Sequence, residues 1–166
     1  MAGRLRRRIS RDRRGVYVLR LPDPERELLT SLVQQMRELL ELTTDDPSLR
    51  RLFPTAYHDD PDRDREYQQL ARDELLEARL AALDIVESSA MRKELTDDEL
   101  SGWLTALNDL RLVLGTRLDV SEDLVDIDAD DPDAPALAVY GYLGMLLDEA
   151  VQALAEDLPP PTEPEM

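Results

Sequence analysis

The stretch from Trp103 to Val120, WLTALNDLRLVLGTRLDV, constrains this chain more than any other. Leu100, Trp103, Leu107, Leu110, Leu114 and Leu118 recur at steps of three and four, which puts them on one face of a helix, and Leu104 and Val113 widen that face into a core-facing stripe. The start is specified by Thr96-Asp97-Asp98-Glu99, a capping box in which the Thr96 hydroxyl accepts from the Glu99 amide and the Glu99 side chain accepts from the Thr96 amide. Packing does not ask for the polar line Asn108, Arg111 and Gly115, with Asp109 and Arg117 close by. Two readings stand. As structure, which is favoured, Asn108 bonds a neighbouring helix end or loop, Arg111 pairs with an acid across the bundle, and Gly115 permits close packing or ends the helix. As function, Asn108, Asp109, Arg111 and Arg117 form a polar groove for a protein partner.

Aromatic residues are sparse, one Trp, one Phe and five Tyr in 166 residues, so the core must be largely Leu, Ala and Val, a composition that favours packed helices. The length suits one domain. The expectation is a mainly α fold, a bundle of about four main helices with a short N-terminal β-hairpin or strand. Residues 1–15 form a basic arm or its first strand, 16–158 a single helical domain, and the tail 159–166, PPPTEPEM, is disordered in composition. Four Asp-Pro pairs, at 23, 46, 60 and 131, each open a helix, because Asp caps well and Pro at the first position loses only an amide with no partner. The spacing predicts a first helix over Pro24–Leu42 with Leu28, Leu32, Met36, Leu39 and Leu40 inward. A short turn follows over Pro47–Phe53, then a long helix over Pro61–Met91 with Tyr67, Leu70, Leu76, Leu80, Leu83 and Ile85 among its apolar positions and Arg79 on its wet side.

The last helix, Pro135 to about Asp157, has two apolar rows. One runs through Leu137, Tyr140, Gly144, Leu147, Val151, Leu154 and Leu158, the other through Val139, Leu143, Leu146, Ala150 and Ala153. A helix apolar over most of its girth is central or shared with a second subunit, so a homodimer is an open expectation. Gly141 and Gly144 lower helix propensity by about 1 kcal/mol each relative to Ala, which close approach of a neighbouring helix would offset.

The net charge of −17 hides an asymmetry: residues 1 to 20 carry +7 and the remainder −24. Such a body attracts basic surfaces and repels nucleic acid at long range. Tyr17, Leu19 and Leu21 alternate with Val16, Val18 and Arg20, and Gly15 supplies the positive φ of a tight connection, so a hairpin with the segment before it is expected. Arg4, Arg6, Arg7, Arg8, Arg11, Arg13 and Arg14 are candidates for contact with DNA or an acidic surface. The favoured alternative is an arm without stacking aromatics that neutralises its own acidic body. No run of eighteen apolar residues and no leader with a cleavage site occurs, so no membrane is involved and a cytoplasmic location is expected.

Little points to catalysis. The P-loop, dinucleotide-binding, HExxH and GxSxG patterns are missing, and there is no cysteine for a disulfide, thiolate site or thiol nucleophile. The single histidine, His58, stands beside Asp59 and Asp60 without ligands at metal spacing and reads as a loop residue. Asp126, Asp128 and Asp130 alternate as in a calcium loop, but Asp131 replaces the obligatory Gly and Leu137 the closing Glu. No enzyme, cofactor or metal is expected.

The stretch WLTALNDLRLVLGTRL, with EREL at Glu25, DPSLRRLFPTAYHDDP from Asp46 to Pro61 and EDLV after Ser121, resembles an actinobacterial family catalogued as a domain of unknown function that includes AosR-type oxidative-stress regulators. The similarity covers roughly Val16 to Asp126. It implies a non-enzymatic transcription or oxidative-stress regulator that contacts RNA polymerase or a sigma factor. Redox sensing in that family is attributed to a cysteine pair, which this chain lacks, so the mechanism does not carry over.

Overall fold

The computed structural model describes residues 6–42, 46–53, 61–118 and 130–156, without the side chains of residues 61, 64 and 67–70. The expectations for Arg4, His58, Asp60, the calcium-like loop up to residue 129, the tail, Leu158 and the side chains of Tyr67 and Leu70 lie outside them. The elements run β1 (Ile9–Arg11), β2 (Tyr17–Leu19), α1 (Asp23–Leu42), a 3-10 turn (Pro47–Leu49), α2 (Pro61–Ser89), β3 (Glu94–Leu95), α3 (Asp97–Arg117) and α4 (Ala134–Ala155). This is a mainly helical fold with a small sheet.

Helix α3 lies between α2 and α4, its two most extensive neighbours, and also touches α1, the 3-10 turn and β3. Its entry has the expected capping box, with the Thr96 amide donating to Glu99 Oε1 at 3.0 Å and the Glu99 amide to Thr96 Oγ1 at 3.2 Å. Trp103 is fully buried, and its indole N–H donates to Ser89 Oγ at 2.8 Å, so the ring fills the core with its polar atom satisfied. One residue earlier, a Cβ on Gly102 would stand 2.7 Å from Ile85 Cδ1, which is why α2 and α3 can approach so closely.

The sheet is antiparallel in the order β1-β2-β3, with Ile9 opposite Leu19 and Tyr17 opposite Leu95. Gly15 takes φ 82°, as the connection requires. Asp12 closes the turn by accepting from the amides of Arg14 and Val16 at 2.9 and 3.0 Å; with the Val16 bond first, these hold its carboxyl below the usual range. Ile9, Tyr17 and Leu19 are buried, and β1 packs against α4. Beneath the sheet sits Arg26, 7% exposed. It donates to the carbonyls of Leu19 (3.2 Å), Leu21 (2.8 Å), Ala90 and Arg92 (2.7 Å), joining β2, the entry to α1 and the link from α2 to β3.

Several expectations change. The inner row of α1 is Arg26, Leu29, Val33, Met36 and Leu40. Leu28 and Leu32 are only half-buried, because the helix is rotated to bring Arg26 under the sheet. Asp23 is the first residue of α1 rather than its cap, since the Pro22 carbonyl already accepts from Glu25 and Arg26. Asp131-Pro132 forms a turn one step ahead of α4, whose cap position is Asp133. In α4 the row Leu143, Leu146, Ala150 and Ala153 is buried, whereas Val151 and Leu154 are exposed. Strand β3, two residues long, was not expected.

Two substitutions test this packing. Arg26→Met should destabilise the fold by about 3 kcal/mol or more in urea melts, because it leaves several buried carbonyls without a donor. Gly102→Ala should cost about 1–3 kcal/mol by overpacking against Ile85.

Candidate functional site

The C-terminal end of α3 meets the 3-10 turn. Asp46 caps that turn by accepting from the Ser48 amide at 2.8 Å and from the Ser48 hydroxyl, bonds that hold its carboxyl below the usual range. Arg117, half-exposed, donates from Nε to Ser48 Oγ at 3.3 Å and stands 3.8 Å from Asp46. Beside it lies a cleft of about 90 Å³ walled by Leu32 and Met36 of α1, Leu110, Val113 and Leu114 of α3 and Leu143 of α4, with Gln35 and Arg117 as its polar lining. An apolar recess with two polar side chains is the form that accepts an apolar anchor and orients it.

The four α3 residues expected at a partner surface point in different directions. Asp109 is 1% exposed and faces α2, where Arg79 donates to its Oδ1 at 3.0 Å. Its Oδ2 is buried without a hydrogen-bond partner among the described residues. Burial outweighs Arg79 and pushes the Asp109 pKa up to about 6. Arg111 turns to α4, its guanidinium 5.0 Å from the centre of the Tyr140 ring. The same ring would be 2.9 Å from a Cβ on Gly115, and a Cβ on Gly144 would lie 3.4 Å from Arg111 Nε. Asn108 is half-buried. Among the described residues Arg111 therefore stacks on an aromatic instead of pairing with an acid, and Asp109 pairs across the bundle with Arg79. In the sequence Arg79 reads as part of a wet charge pattern, because Asp73, Glu74 and Glu77 precede it in the same charged run.

The basic arm is tied to acids of its own chain. Arg8 makes a forked bond to Glu25 at 2.6 and 3.2 Å, which holds Glu25 below the usual carboxylate range, while the Arg8 amide donates to Glu149 at 3.2 Å. Arg7 pairs with Glu156 at 3.2 Å, and Arg11 donates to the Glu156 carbonyl at 3.4 Å. Arg14 bonds Asp12 at 3.0 Å and Glu94 at 2.8 Å. Arg6 and Arg13 are exposed. Among the described residues no group of three His, Asp or Glu is placed to hold a metal, and no helix is long and apolar enough to cross a membrane.

A family model described as a domain of unknown function (DUF2017) matches residues 6–154. The chain is 32% identical over 127 residues to proteins named oxidative stress regulator AosR from Mycobacterium tuberculosis and Mycobacterium bovis, a match covering 66% of this chain and 58% of theirs. A Mycobacterium leprae protein named putative oxidative stress regulator AosR is 32% identical over 129 residues, 66% of this chain and 59% of that one. The match thus spans somewhat over half the length of these relatives. No solved structure matches the chain.

Asp109 makes stability depend on pH. Its folded pKa is raised from 3.8 to about 6, so the folded state holds this proton more tightly than the unfolded chain does. The associated stability is fully present below about pH 4 and is lost as pH rises through about 6, a cost of about 3 kcal/mol at neutrality. Asp109→Asn removes this dependence. Urea melts at pH 4, 5, 6 and 7 should show the variant gaining on the parent as pH rises, whereas two parallel profiles would rule out an ionising Asp109.

Proposed function

We propose that this chain, which belongs to the family of domains of unknown function DUF2017, is a non-enzymatic regulator of the oxidative-stress response that works through protein contacts with the transcription machinery. The names of its mycobacterial relatives support the regulatory part of this reading. The observation that carries the protein-directed part is the pairing of the basic arm. Arg7, Arg8 and Arg14 are held by Glu156, Glu25, Asp12 and Glu94 of the same chain, which opposes their use on phosphate. An acidic body presents the wrong charge to nucleic acid and the right one to a basic protein surface.

In this reading the recess beside Arg117 takes an apolar anchor of the partner. The sequence contains no cysteine, so in place of a thiol sensor this reading takes a different input or a constitutive partner-binding role. The second reading, nucleic-acid binding, keeps one support, the exposed Arg6 and Arg13.

The test is direct binding of the full chain to purified RNA polymerase and to individual sigma factors, in moderate salt with nuclease. The expected outcome is binding that survives replacement of Arg6 and Arg13 by Ala and weakens about tenfold in Arg117→Ala, the loss of one good contact. Capture that depends on Arg6 and Arg13, falls steeply with salt and vanishes with nuclease would put the nucleic-acid reading in its place.

A further inference from the structure

The solvent-facing side of α4 is unlike that of α1. On α1 the exposed positions include Glu27, Ser31, Gln34, Gln35, Glu38 and Glu41, a polar face of the ordinary kind that ends in an exposed Leu42 at the last residue. On α4 the exposed stripe is Ala138, Gly141, Met145, Asp148, Val151, Gln152, Leu154 and Ala155. Only one of these is charged, in a chain that is 34% charged. Met145, Val151 and Leu154 are 37%, 50% and 36% exposed, large apolar side chains gathered on one helix. Met145 and Val151 flank Asp148 one helical turn to either side, and exposed apolar residues placed in this way mark a contact surface.

Gly141 adds an independent observation. Cβ atoms built on Gly102, Gly115 and Gly144 would each meet side chains of this chain, so packing explains those glycines. At Gly141 a Cβ would meet nothing within 4 Å. A glycine within a helix is unfavourable, and nothing among the described residues repays this one. Close approach by a helix from outside does.

The charges indicate which helix. A groove of about 590 Å³ beside the stripe is lined by Arg111, Gly144, Met145, Leu147, Asp148 and Val151. Arg111 lies over Tyr140, and Asp148 accepts from Gln152 at 3.3 Å. Among the described residues neither has an ion pair, although both line the same groove. One unpaired cation and one unpaired carboxylate around an apolar centre form a self-complementary surface. A two-fold axis brings each to its opposite in the other copy, twice. The chain is acidic over most of its length, which repels a second copy, whereas this groove sets one guanidinium against one carboxylate.

We propose that the outer face of α4 is the docking surface for a second copy of this chain, the two α4 helices crossing near Gly141 and Met145 with Arg111 of each copy on the partner's Asp148. Of the α3 residues considered for partner contact, Arg111 is the one that lines this groove. The inference stands apart from the regulatory reading, since self-association is measured without any transcription protein.

Sedimentation velocity of the full chain over a wide concentration range tests it. The expected result is a reversible shift from the 18.9 kDa monomer to twice that mass. Gly141→Gln and Met145→Glu should weaken association about tenfold or more while leaving the circular dichroism and dilute-solution melting intact, since both sites face solvent in one copy. Asp148→Arg and Arg111→Glu, the latter kept only if its helicity is unchanged, should each impair self-association and recover a heterodimer when mixed. A chain that stays monomeric throughout overturns the proposal and leaves the stripe to an unlike protein. A dimer indifferent to these substitutions overturns it equally, by placing the contact elsewhere.

Discussion

The buried guanidinium of Arg26 is the constraint from which the arrangement of the other elements follows. Its donors form a fixed fork, and the four carbonyls they reach come from the end of β2, the entry to α1 and the link between α2 and β3. Backbone oxygens cannot rearrange as side chains do, so this one group sets where α1 begins beneath the sheet and how far it is rotated. That rotation carries Leu29, Val33, Met36 and Leu40 inward. The preceding residue, Glu25, is then half-buried where it clamps Arg8 and with it the first strand. Helix α3 then packs between α2 and α4 and touches α1 along the side so defined.

This explains which parts of the fold were legible in the sequence. The entry of α3 was, because a capping box is a local arrangement of two side chains and two amides that needs no tertiary context. The helices were legible from their periodicity, and Gly15 from the sign of φ that the hairpin demands. The facing of α1 was not. Leu28 and Leu32 recur with the same spacing as Leu29 and Val33, so periodicity alone cannot choose between adjacent rows, and the choice is made by Arg26 through partners as distant as Arg92. In α4 the apolar character extends over both rows, and only burial against α3 and β1 separates Leu143 and Leu146 from Val151 and Leu154. Strand β3 has two residues, too few for an alternation to show.

The same reasoning bears on the segments that carry the family likeness. Arg26 belongs to EREL, Asp46 and Ser48 to the segment after it, and Trp103, Asp109, Arg111, Gly115 and Arg117 to the α3 stretch. Their contacts run largely to one another or to the core: Arg117 to Ser48 and Asp46, Trp103 to Ser89, Asp109 to Arg79, Arg111 and Gly115 to Tyr140. Motifs used in this way specify a fold first, and function has to be argued from the surfaces that the fold leaves open.

Two such surfaces share α4. Leu143 closes the recess beside Arg117, and the next two residues, Gly144 and Met145, line the outer groove that holds Arg111 and Asp148. A single turn of helix thus forms a wall of both. Because interiors are close-packed, Leu143 is fixed on one side of this turn among Met36 and Leu110, while Gly144 and Met145 present its other side to the groove. The recess and the outer groove thus lie on either side of neighbouring residues of one helix, and Arg111 over Tyr140 is the contact that ties α4 to α3 beside both.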